Sequence, residues 1–233
     1  IDVTVSYPSG KTELSGYKVN NFPPVLADSP LGLLPPDCPV GKDCFTYFLH
    51  NNPTPPVGDT ASQTDLPMDT TSSPAFIRYI YDTDEDTDVG RAIRKGGDLS
   101  TTDLGKYQNW RTGAFGGDFH ICGDVELQLW SASDGFIQAR RGEIEVFLRD
   151  FDGATFTEIA GQAFSKNDWQ EGFDDFTVVK VVLTGLDYTV ASGNSLDMRL
   201  VVGSGTQTPL MWFMYDFIDF DSKLFVETVS GTC

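Results

Sequence analysis

The distribution of proline constrains this chain more than any other feature. Of its 13 prolines, all but Pro209 fall at or before Pro74. Proline donates no backbone hydrogen bond and fixes its own φ, so it is kept out of the interior of regular ladders. Residues 1–74, with stretches such as NNFPPV, LLPPDCPV and NNPTPPVGDTASQ, are therefore expected to form an N-terminal strand and an extended, turn-rich wrap. One further strand is expected within the wrap, around CFTYFLH at 44–50. The main domain is expected over residues 75–233.

Past Pro74 the pattern changes to repeated strands. Val125, Leu127 and Leu129 alternate with Glu126 and Gln128. Ile144, Val146 and Leu148 share a face opposite Glu143 and Glu145, and Leu196, Met198, Leu200 and Val202 repeat the pattern. A period of two is that of a strand with one buried face. FTVVKVVL reads as a strand buried on both sides, and AFIRYIY, LMWFMYD and KLFVETV complete the set. Turn-forming stretches such as SASDG, DFDG, TGLD and ASGN separate the runs, as hairpins require. No long segment keeps a helical period. The expected fold class is all-β: a two-sheet antiparallel sandwich, jelly-roll-like, with a proline-rich N-terminal wrap.

The first seven residues, IDVTVSY, stand apart from the proline-rich chain that follows. Ile1, Val3, Val5 and Tyr7 alternate strictly with Asp2, Thr4 and Ser6. One reading makes this the first edge strand of its own sandwich. The other makes it a donor strand that completes the sheet of a neighbouring copy, with backbone hydrogen bonds supplying affinity and alternate side chains filling pockets. A head-to-tail contact of that kind does not close on itself and builds a filament or tube.

Charge and cysteine usage bound the setting. With 16 Lys and Arg against 34 Asp and Glu, the formal charge is −18. Nucleic acid and anionic membrane surfaces would repel such a chain. No apolar run is long enough to form a membrane-spanning helix. The chain begins at Ile1 and its four methionines lie inside, which suggests removal of a signal peptide, although a trimmed chain would read the same. Cys38, Cys44, Cys122 and Cys233 allow three pairings. CPVGKDC closes readily as a short loop, which leaves Cys122 for Cys233. Zinc is the competing use, but the cysteines form no CxxC pair and only two histidines exist. Disulfides fit an extracellular or cell-surface location, or an intracellular protein of a hyperthermophile.

Candidate sites are fewer. In YIYDTDEDTDVG, Asp82, Asp84, Asp86 and Asp88 with Glu85 crowd one loop. An EF-hand needs glycine at its sixth position and glutamate at its twelfth. Counting from Asp82 places Thr87 and Ile93 there, and counting from Asp84 places Val89 and Lys95, so both registers fail. Structural Ca2+ in an irregular site is one reading. A solvated turn neutralised by Arg91, Arg94 and Lys95 is the other. His50 and His120 lie in no HExxH and beside no recognisable nucleophile, and no GxSxG, P-loop or Rossmann motif occurs. The chain is expected not to be an enzyme. Trp110 in KYQNWRT and Trp169 in KNDWQ lie in expected loops, where they would offer stacking surfaces to a glycan.

Several stretches carry a resemblance. FLHNNPTPPVGDTASQTDLPM, YDTDEDTDVGRAIRKGG, KYQNWRT and the closing YTVASGNSLDMRLVVGS and MWFMYDFIDFDSKLFV resemble β-sandwich modules of secreted and cell-surface proteins of bacteria and archaea. They are similar to the jelly-roll modules appended to X-Pro dipeptidyl peptidases. The resemblance spans roughly residues 44–229 and implies a sandwich module on a secreted or surface protein, with no catalytic residue carried over. Together these readings lead to a non-enzymatic extracellular structural protein, self-associating as a filament or tube through Ile1, Val3, Val5 and Tyr7. The alternative is a secreted carbohydrate-binding module, and a third reading is an extracellular hydrolase.

Overall fold

Alternation in the sequence becomes burial in the structure wherever a strand lies across the core. A computed structural model describes residues 37–50, 65–73, 92–95, 107–134, 142–166, 177–203, 210–216, 220–229 and 233. Among these residues the regular elements are strands: β1 (Asp43–Leu49), β2 (Asp65–Asp69), β3 (Ala92–Lys95), β4 (Tyr107–Arg111), β5 (Phe119–Asp134), β6 (Gly142–Phe151), β7 (Phe156–Lys166), β8 (Thr177–Val190), β9 (Ser195–Val202), β10 (Leu210–Met214) and β11 (Lys223–Thr228). Along β6, Ile144, Val146 and Leu148 are buried while Glu143, Glu145 and Phe147 are half-buried. The fold is an all-β, sandwich-like arrangement of one curled sheet.

Its first half is organised by β5. One edge of this 16-residue strand pairs with β8 from Phe119 to Ser131. The other edge is shared, by β11 along Ile121–Gln128 and by β10 along Trp130–Asp134. The order continues from β11 to β1, and β3 flanks β10. The second half runs β2, β4, β9, β6, β7. Among the described residues two ladder pairs join the halves, Phe48 with Asp69 and Leu49 with Met68, with a hydrogen bond from the His50 N–H to the Pro67 carbonyl beside them. β7, at the end of the second half, also approaches β8, which lies beside β5. Enclosed between the halves, Leu49, Trp110, Ile121, Leu129, Leu148, Met198 and Phe213 are fully buried.

Four features differ from the expectation. The FTVVKVVL strand is buried on one face, not both: Val179, Val181 and Leu183 are buried while Lys180 is exposed. The pairing is antiparallel except between β2 and β4, which run parallel. A parallel pair needs a crossover connection, and here residues 70–106 supply it. The chain before Pro74 also contributes more than a wrap. The expected strand is β1, bonded between β11 and β2, and β2 is a second strand, with Leu66 and Met68 in the core. Pro67 lies at the centre of β2, where its carbonyl accepts from the His50 N–H at 2.9 Å. The sandwich thus draws its strands from both sides of the compositional boundary. Finally, β5 carries a bulge at Gly123, whose φ of 125° lies in the region that favours glycine.

Both disulfides form as the short-loop argument expects, Cys38 to Cys44 and Cys122 to Cys233. The second spans 111 residues. In the chain-entropy account a loop that long contributes about 4–5 kcal/mol, more than the short one.

Polar side chains on the outward face of the second half are tied into a buried network. Asp197 on β9 is fully buried and accepts from Arg149 Nε (2.9 Å) on β6 and from Arg111 Nε (3.1 Å) on β4. Arg149 also donates to Asn109, and Arg111 to Asp65 (3.0 Å) on β2. Burial pushes the Asp197 carboxyl up, while the two guanidinium groups oppose that shift. The network stitches four strands, and removing one partner of such a set leaves an uncompensated buried charge.

Candidate functional site

The feature most open to a partner is the edge of β1. Its Asp43–Phe48 stretch is bonded to β11 on one side. On the other side β2 meets Phe48 and Leu49 and accepts from the His50 N–H at Pro67, and it reaches no earlier residue of β1 because the chain turns away after Asp69. That turn is held locally: the Thr71 N–H donates to the Asp69 carboxylate at 2.6 Å. Among the described residues, 43–47 therefore have no ladder on the β2 side. Beside this opening lies an aromatic cluster. Phe45 and Tyr47 of β1 meet Phe119 at ring distances of 5.5 and 6.3 Å, and Phe119 stacks on Phe115 at 4.5 Å. Burial pushes the Tyr47 hydroxyl up to about 12. Phe45 remains 39% exposed, one of the few large exposed apolar side chains among the described residues. Unpaired backbone beside exposed apolar surface is what strand addition requires.

At the other end of β1, His50 is locked rather than poised. Its Nδ1 lies 2.7 Å from Asp216 Oδ1, and its Nε2 lies 3.0 Å from the Thr71 carbonyl and 3.3 Å from Asp69. Burial lowers the pKa of the ring, but hydrogen bonding and charge from Asp216, with help from Asp69 and Thr71, outweigh it and the net shift is upward. Asp216 is buried and has a φ of 56°, in the left-handed region. Both ring nitrogens face fixed partners, so neither is turned toward a substrate as a general base would be. His120 lies on β5 with Nε2 2.8 Å from Asp187.

The other sequence-derived candidates divide into two groups. Trp110 is corrected: it lies within β4, not in a loop, and its indole is 0% exposed, packed edge-on against Tyr215 at 5.2 Å. It faces the core because it occupies an inward position between Asn109 and Arg111, which point outward, and it cannot stack on a ligand. Asp82, Asp84, Asp86, Asp88, Trp169, Ile1, Val3, Val5 and Tyr7 lie outside the described residues. Sequence reasoning missed the cluster at Phe45, Phe115 and Phe119. The only signal was aromatic residues at the starts of two strand patterns, which does not say that those ends meet.

The curled two-layer β arrangement defines the class as a β-sandwich module. No family model matches the chain, and no curated protein matches it. Two structures of a CocE/NonD family hydrolase from Staphylococcus aureus superpose with TM-scores of 0.57 and 0.55 at 10% identity. Each match covers 82% of this chain and 37% of the hydrolase. An aminopeptidase from a marine sediment archaeon, Thaumarchaeota archaeon, gives a TM-score of 0.46 at 12% identity, over 81% of this chain and 33% of that one. At such identities the hydrolase likeness shows the fold alone. The chain spans little more than a third of the hydrolase it resembles. The expected similarity to sandwich modules carried by hydrolases therefore holds at the level of fold.

Proposed function

We propose that this protein is a non-enzymatic structural component of an extracellular surface, which associates with copies of itself by adding residues 1–7 of one copy to the β1 edge of the next. The carrying observation is the stretch 43–47, unladdered on one side among the described residues and bordered by the exposed ring of Phe45. The strict alternation of Ile1, Val3, Val5 and Tyr7 suits such an edge, since alternate side chains of an added strand enter one layer. The disulfides fit an oxidising setting. Deleting residues 1–7 should convert assemblies into monomers by light scattering and electron microscopy. Assembly unchanged by the deletion, or a full chain that stays monomeric at high concentration, would sink the proposal.

Structural calcium on Asp82, Asp84, Asp86 and Asp88 belongs to the same reading, because hard cations need only converging oxygens. Chelation should then lower the melting temperature. An unchanged melt with no ion found by mass spectrometry removes calcium from the proposal.

One observation favours glycan binding as a second reading. Phe156, 42% exposed, lies over Arg149 at 3.9 Å and near Arg111 at 5.1 Å, on the outward face of the second half. An exposed ring offers a stacking surface to a sugar. Polysaccharide binding that is lost in Phe156→Ala supports it, and no binding on a glycan array removes it.

A further inference from the structure

Three potential metal ligands, His120, Asp187 and Cys233, converge where the cysteine at 233 meets β5 and β8, and the disulfide attaches Cys122 to one of them. Cys122 and Asp187 are direct partners in the β5–β8 ladder. His120 lies two residues from Cys122 on β5, so its side chain takes the same face. That face is the outward one, because Ile121 between them is fully buried in the core. Cys233 closes the group through its bond to Cys122. Ligand atoms of His120, Asp187 and Cys233 all lie within 4.8 Å of one another, and His120 Nε2 is 2.8 Å from Asp187 Oδ1.

We propose that reduction of the Cys122–Cys233 disulfide turns this cluster into a Zn2+ site with Cys122, Cys233, His120 and Asp187 as ligands. A two-thiolate, one-imidazole, one-carboxylate set is complete for a four-coordinate structural zinc. In the oxidised protein neither sulfur is a thiolate, so the set lacks its strongest donors. A thiol reductant supplies two electrons and two protons: the S–S bond breaks, Cys122 and Cys233 become thiols, and the reductant leaves as its own disulfide. Zinc binding then releases the two thiol protons, with His120 coordinating as neutral imidazole and Asp187 as carboxylate. The ion bridges the same two chain segments as the disulfide, so the tail stays attached to β5 in either redox state. The absence of a CxxC pair in the sequence does not bear on this site, since β5, β8 and the tail bring its ligands together across the fold.

The test uses the full chain carrying Cys38→Ser and Cys44→Ser, which leaves one cystine. Co2+ replaces Zn2+ as the probe, because thiolate ligation gives a near-ultraviolet charge-transfer band and tetrahedral geometry gives strong visible bands. The oxidised protein should be silent, and the reduced protein should bind one equivalent with both signatures. His120→Ala and Asp187→Asn should each weaken binding by about tenfold or more, since even residues that only orient ligands cost that much when replaced. If reduction unfolds the chain, Co2+ should restore the native circular dichroism. Three results overturn the proposal: no charge-transfer band after reduction, unchanged affinity in both variants, or a reduced unfolded chain that the metal does not refold.

Discussion

Trp110 sits between Asn109 and Arg111 in a segment dense with polar side chains, yet its indole is fully buried against Tyr215. Its removal is a core truncation. Trp110→Ala should lower stability by about 3–5 kcal/mol in denaturant titrations. His50 makes a different kind of prediction. Its pKa is raised in the folded state by Asp216 and Asp69, against the opposing effect of burial. Stabilisation by the charged ring is therefore fully present below the unfolded pKa, near about 6.5, and is lost as pH rises through the higher folded value. Asp69 is shifted the other way: burial raises its pKa, but bonds from Thr71 and the charge of His50 outweigh this and lower it. Its contribution is lost only in acid. The melting difference between wild type and His50→Gln should thus be largest near about pH 5–6 and shrink toward alkaline pH. A difference that grows with pH would contradict the assignment.

Among the elements, β5 shows how one residue shapes a strand. A Cβ at Gly123 would collide with the side-chain ends of Glu227 and Lys42, and the φ of 125° is costly for any L side chain. Lys42 is itself placed there by its bond to the Cys122 carbonyl at 2.6 Å and by its pairing with Glu227 at 3.3 Å. Gly123→Ala should destabilise by about 1–3 kcal/mol, as a residue forced into a sparsely populated region does. Thermal melts would check it, and a neutral result would mean that the bulge relaxes. The strand patterns themselves were largely legible. The alternations along β5, β6 and β9 predicted which residues face the core, because the pleat ties side-chain direction to residue parity. The same parity points Asp197 away from the core face. Its complete burial depends on Arg111 and Arg149, which arrive from β4 and β6 and cover it.

For the whole molecule, the formal charge of −18 opposes the association proposed for the β1 edge. Like-charged copies repel, and salt screens that repulsion over a Debye length of about 8–10 Å near physiological ionic strength. Association should therefore speed up with added salt, measured as the rise in scattering after dilution from low ionic strength. Assembly that weakens with salt would point instead to charge-paired contacts. Among the described residues no helix is long and apolar enough to cross a membrane.

By itself the sequence determined the all-β class, the buried face of most strands and the short Cys38–Cys44 loop, since each follows from local spacing. The tertiary structure alone decided the rest: the parallel meeting of β2 with β4, the burial of Trp110, the edge that no described strand covers along 43–47, and the meeting of His120, Asp187 and Cys233. Parity specifies which way a side chain points relative to its own strand. It carries no information about which strand edge arrives beside it, and these features are made by such arrivals.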